Sequence, residues 1–193
     1  MGILESEVIK GFVRLCDDGW KQGWHERNGG NLTYRMKKEE VEECKPYFNY
    51  DKPWVNMGVK AENLAGEFFM ATGTGKYFRN MILDPEANIC IVEINAEGDS
   101  YRIVWGLAHG GKPTSEFPSH FMNHSVRAKA TNGEYRIIYH AHPANVIALT
   151  YVLPLDDKTF TRALWESATM SGISSSEIHL RLRTSFSMDG III

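Results

Sequence analysis

EYRIIYHAHPANVIALTYVL, residues 134–153, decides how this chain is read. Its first part is rich in β-branched and aromatic residues and reads as a buried strand over 134–142. The rest, ANVIALTYVL, reads as a helix, and TFTRALWESAT (159–169) as another. His140 and His142 stand two apart at the strand's end. Alternation puts such residues on one face, so both imidazoles can converge on one point, as a divalent metal needs. The plain alternative is a hydrogen-bonded histidine pair, because zinc usually takes a third protein ligand.

Outward from this strand, the chain alternates helices and strands. Residues 118–130 read as a helix with Pro118 in its opening turn. NICIVEI (88–94) and YRIVWG (101–106) form a hairpin around a polar turn with Gly98, and EFFMA (67–71) is a further strand. Leu32, Tyr34 and Met36 alternate as a strand, and residues 3 to about 24 carry apolar residues at helical spacing. Residues 37–65 are charged and irregular and read as a surface excursion. The order predicts an α/β or α+β domain with helices covering a largely antiparallel sheet.

Composition narrows the function. The 193 residues include 21 Lys and Arg against 24 Asp and Glu, a net charge of −3, which gives no electrostatic footprint for nucleic acid. Apolar residues make up 43% and charged residues 23%, as in ordinary globular chains. Cys16, Cys44 and Cys90 are widely spaced and odd in number, which argues against a disulfide framework and for the reducing cytoplasm. No apolar run reaches membrane-spanning length, and no signal peptide is expected at the N-terminus.

Three loops can carry chemistry. PTSEFP (113–118) sets Glu116 between Thr114 and Ser115, just before a helix. There it either caps the helix or acts as a general base. TGTGK (72–76) fails the Walker pattern but can cradle one phosphate with backbone N–H groups. RNGGN (27–31) is a second such loop, with Asn28 and Asn31 as side-chain partners. His120 and His124 lie four apart on a helix, where a core-facing or solvated pair is favoured over a chelate. His25, His109 and His179 stand alone and read as unremarkable. Together the loops, the His-x-His pair and the carboxylate point to a metal-assisted reaction on a small phosphorylated compound.

At this combination the chain resembles the class II aldolase/adducin family. The likeness rests on GWHERNGGNLT, ATGTGKYFRN, ILDPEAN to NICIVEI, VWG, PTSEFPSHF, RAKATNG, YHAHPANVIALTYVL and FTRALWESAT, from about residue 12 to 169. GWHERNGGNLT, TSEFPSHF and ALTYVL with LWE point to the branch that acts on L-rhamnulose 1-phosphate. The resemblance implies a mainly antiparallel sheet between helix layers and assembly as a homotetramer. It implies zinc-dependent aldol cleavage to dihydroxyacetone phosphate and L-lactaldehyde. It implies zinc held by His140 and His142, with Glu116 as the catalytic carboxylate and Glu166 as a second acid. Asn28, Gly30, Asn31, Thr74, Thr114 and Ser115 would hold phosphate and substrate oxygens. Sister enzymes acting on fuculose or ribulose phosphates, and a non-catalytic adducin-like module, are the alternatives.

The chain departs from the family after residue 170. Residues 171–193 match no family segment, and the family's third zinc histidine has no counterpart there. Read one nucleotide later, Ser187-Met188-Asp189 can encode the Pro-Trp-Met of the family, so the tail reads as an out-of-frame translation. The expectation is a domain over 1–170 that is incomplete at its C-terminus, with weak zinc binding, exposed apolar surface on the sheet, low stability and little activity.

Overall fold

The computed structural model describes residues 2–167, 186–187 and 190–192, with side chains described for residues 2–163. Its sheet contains β1 (Asn31–Arg35), β2 (Val55–Asn56), β3 (Phe68–Thr72), β4 (Ile89–Ile94), β5 (Ser100–Gly106) and β6 (Ile137–Ala141). A short hairpin, β7 (Phe186–Ser187) and β8 (Gly190–Ile192), adds to the outer edge of β6. The strand order is β2-β5-β4-β3-β1-β6-β8-β7, and every pairing between these strands is antiparallel. The antiparallel sheet expected from sequence is therefore present.

Seven α-helices accompany it among the described residues: α1 (Glu7–Lys21), α2 (Lys38–Cys44), α3 (Phe78–Met81), α4 (Pro85–Asn88), α5 (Phe117–Ala130), α6 (Ala144–Val152) and α7 (Asp157–Ser167). Strand alternation sorts the core into two layers. Leu32, Met70, Ile89 and Ile91 pack with Ile9, Phe12 and Val13 of α1 and Phe78 and Met81 of α3. Phe69, Ala71, Cys90 and Val92 pack on the opposite face with Phe117 and Phe121 of α5. Cys16, Cys44 and Cys90 are buried free thiols. No helix among the described residues is long and apolar enough to cross a membrane.

Two expectations need correction. Residues 37–65 are not a mere surface excursion: α2 and a 3-10 turn at Glu62–Leu64 lie there, and Val41, Cys44, Met57, Ala61 and Leu64 are buried. Their acidic spacers mask an apolar minority that is enough to anchor the segment. The strand expected over 134–142 is shorter, and Ile137 is exposed at its start. Apolar side chains are exposed on α6, none of whose residues is buried and where Tyr151 and Val152 are 82% and 75% exposed, and on the strands at Val55 and Ile137.

Phe69 is fully buried and meets Phe117, Phe121 and His124 through ring contacts. Phe69→Ala should therefore lower unfolding stability by about 3–5 kcal/mol, read from urea denaturation.

Candidate active site

The site forms where β1 meets β6. Their register sets Asn31 opposite His140 and Thr33 opposite Ile138. Leu32 and Tyr34 face α1, so Asn31, Thr33 and Arg35 face α5 as a buried polar stripe. His140 shares that α5-facing side.

Glu116 occupies the N-cap position of α5, yet its side chain makes no capping bond. It reaches instead to His140, whose Nδ1 lies 2.8 Å from Glu116 Oε2. The carboxylate accepts, so Nδ1 carries the proton and the lone pair sits on Nε2. That Nε2 lies 3.1 Å from His142 Nε2. Two nitrogens bound to one tetrahedral zinc at about 2.0–2.1 Å would be about 3.4 Å apart, so the pair fits two positions of such a site. Among the described residues no group of three His, Cys, Asp or Glu surrounds a common point. The side chain of Glu166 and all of His179 lie outside the described residues; the backbone of Glu166 lies in α7.

The neighbouring loops are built around this centre. Thr74 N–H donates to Lys112 O at 2.9 Å, and Thr74 Oγ1 donates to Pro113 O at 2.7 Å. These bonds, with the Gly73–Pro113 bridge, fasten the 72–76 loop to the 113–118 loop. The Thr74 hydroxyl proton is thus committed to the backbone. Thr114 is buried, and its Oγ1 accepts from Glu116 N–H at 3.3 Å, which shapes the turn presenting Glu116. Ser115 and Asn28 are exposed. Asn31 Nδ2 lies 3.4 Å from His140 Nδ1, while its Oδ1 is buried without a partner. Gly30 has φ of +79°, and a Cβ there would come within 2.5 Å of His140 O and 2.6 Å of His25 Nδ1. A side chain at residue 30 would therefore push the loop off β6.

His120 and His124 form no chelate. Thr33 Oγ1 sits between them, 2.9 Å from His120 Nδ1 and 2.9 Å from His124 Nε2. One hydroxyl has one proton, so it donates to one ring and accepts from the other. Burial pushes His120 down to about 4 and His124 down to about 3. The favoured core-facing reading of this pair holds.

His25 does not stand alone. It is 1% exposed and stacks on Phe78 with centroids 3.6 Å apart. The Tyr139 hydroxyl and the Gly29 carbonyl meet its two ring nitrogens. Sequence reading passed it over because its partners are 114 residues away and in a backbone turn. The only available signal was its place beside the Gly29-Gly30 pair.

The Class II Aldolase and Adducin N-terminal domain matches residues 10–179 of this chain. The chain belongs to the class II aldolase and adducin family. Over 167 residues it is 44% identical to proteins named rhamnulose-1-phosphate aldolase from Escherichia fergusonii and Escherichia coli. Each match covers 86% of this chain and 61% of the relative, so the chain spans about 61% of the length of these curated relatives. A crystal structure of a sugar-phosphate aldolase from Thermotoga maritima superposes with a TM-score of 0.66 at 25% identity, covering 91% of this chain and 66% of that one. The class II aldolase fold expected from sequence is thus shown.

The neutral histidines give the fold a pH signature. The unfolded chain takes up protons near the ordinary histidine range, at about 6.5, whereas His120 and His124 resist until about 4 and 3. Their contribution is complete above about 6.5 and is lost as pH falls toward 3–4. Unfolding stability measured in urea with chelator present should drop between pH 6.5 and 4.5. His124→Leu should flatten that slope by about one proton, or about 1.4 kcal/mol per pH unit.

Proposed function

We propose that the chain carries the metal and proton-transfer centre of a zinc-dependent aldolase. Its reaction is the reversible cleavage of L-rhamnulose 1-phosphate to dihydroxyacetone phosphate and L-lactaldehyde. The observation that carries this reading is the convergence of His140 Nε2 and His142 Nε2, with Glu116 on the far nitrogen of His140. The 44% identity to proteins named rhamnulose-1-phosphate aldolase supports the choice of substrate.

His140 and His142 would hold the metal, and the Glu116 bond fixes the His140 tautomer that can do so. A bound zinc ion supplies Lewis-acid polarisation of a ketose carbonyl. Glu116 accepts and returns the proton at the carbon beside that carbonyl. Its side chain is 40% exposed, so it can leave His140 and reach a substrate. Asn31 Oδ1, buried and unpaired, offers an acceptor for a substrate hydroxyl. Asn28, Gly30, Thr114 and Ser115 line the loops that would take the phosphate. Thr74, whose N–H and hydroxyl protons go to Lys112 O and Pro113 O, is proposed to position the phosphate loop rather than to donate to the phosphate. Glu166 is proposed as the second acid, near the cleaved bond. A small phosphorylated sugar is the ligand, and a cytoplasmic homotetramer is the proposed setting.

Two histidines alone bind zinc weakly, and among the described residues no third ligand joins them. Turnover by the 193-residue chain should therefore be low. It should rise when the chain is joined after residue 167 to the remainder of the Escherichia coli relative. In the joined protein, L-rhamnulose 1-phosphate cleavage should depend on zinc and stop with chelator. Glu116→Gln should slow it by about 10²–10⁴-fold. Cleavage that survives metal removal, or a Glu116→Gln variant with unchanged rate, contradicts the proposal.

A further inference from the structure

The loop after α1 is irregular and is tied to β6. Arg27 has φ of +52° and Gly30 has φ of +79°. Arg27 is not a glycine, so the left-handed region is strained for it and the surrounding structure must hold it there. Trp24, Glu26, Arg27 and Asn28 are exposed, and His25 is the one buried side chain between Lys21 and Asn31.

Three links tie this loop to the end of β6. His142 N–H donates to Trp24 O at 2.8 Å. The β1–β6 register sets Asn31 beside His140. The third link runs through His25. A carbonyl can only accept, so His25 Nδ1 carries the proton and donates to Gly29 O at 3.0 Å. Nε2 is then an acceptor, and the Tyr139 hydroxyl donates to it at 2.5 Å. Phe78 covers one ring face. The Gly29 carbonyl is thereby engaged by His25. A Cβ on Gly29 would lie 2.9 Å from His142 Nδ1, so the loop backbone runs directly against the proposed metal ligand.

We propose that His25 is a positioning residue: protonated on Nδ1, it locks the Trp24–Asn31 loop onto the end of β6 and so sets where the phosphoryl group of the substrate is held. This rests on the reading under Proposed function for the ligand, but the locking itself can be read without any ligand. His25 touches no reacting atom. It acts through the Gly29 carbonyl, on the placement of the Asn28–Gly30 backbone.

The test compares His25→Asn with His25→Gln in the 15N-labelled chain. The Asn amide can stand at the place of Nδ1 and keep the bond to Gly29. The Gln amide stands at the place of Nε2 and keeps only the Tyr139 side. In the unmutated chain, side-chain 15N shifts should report His25 as the Nδ1-protonated tautomer. His25→Asn should keep the amide resonances of Gly29, Gly30 and Asn31 near their places, and His25→Gln should displace them. Dissociation constants for dihydroxyacetone phosphate should rise about tenfold in His25→Gln and stay within about threefold in His25→Asn. Zinc affinity should be the same in both.

An Nε2-protonated His25, or loop resonances that move equally in the two variants, overturns the proposal. If either variant fails to fold, the tautomer in the unmutated chain still decides. If the loop behaves as stated but the chain ignores dihydroxyacetone phosphate, the assigned substrate fails while the locking role stands.

Discussion

The antiparallel pairing of β1 with β6 is the constraint on which the rest of the site depends. It joins residues about a hundred positions apart and sets Asn31 beside His140. It turns one face of β1 toward α1 as apolar core and the other toward α5 as a polar stripe. A slip of one residue would exchange the two faces, burying Leu32 among histidines and sending Asn31 into the α1 core. The register is therefore fixed by burial on both sides. The strand end that carries His140 and His142 inherits that fixity.

The stripe explains why the site needs its buried polar groups. Thr33 meets one ring nitrogen each of His120 and His124, whose other nitrogens are buried without a partner, and Arg35 donates to Gly133 O at 2.9 Å, closing the turn after α5. These contacts hold α5 at a fixed distance from β1, and Glu116 stands at the start of that helix. Helix position, rather than a capping bond, brings the carboxylate to His140. Burial keeps His25, His120 and His124 neutral near pH 7, so no cationic ring competes with a metal for the His140 and His142 lone pairs.

Much of this was legible in the sequence. The hairpin of β4 and β5, helix α5 with Pro118 in its first turn, and the His140–His142 pair follow from alternation, turn chemistry and spacing. The β1 strand was legible only on its apolar face. Thr33 and Arg35 drew no reading, because a buried polar stripe needs partners that only the fold supplies. His25 was missed for the same reason, its meaning resting on Tyr139. The two readings of Glu116 could not be separated by sequence, since a helix cap and a catalytic carboxylate occupy the same position. Family resemblance chose between them; in the structure the carboxylate makes no capping bond and lies 2.8 Å from His140 Nδ1. Residues 37–65 misled because the burial of Val41, Cys44 and Leu64 is scattered among charges with no clean period.

The most direct test of the central claim is anomalous X-ray scattering at the zinc edge from crystals grown with zinc. The account predicts a peak between His140 Nε2 and His142 Nε2, lost in His142→Ala. A peak between His120 and His124, or none near β6, would contradict it.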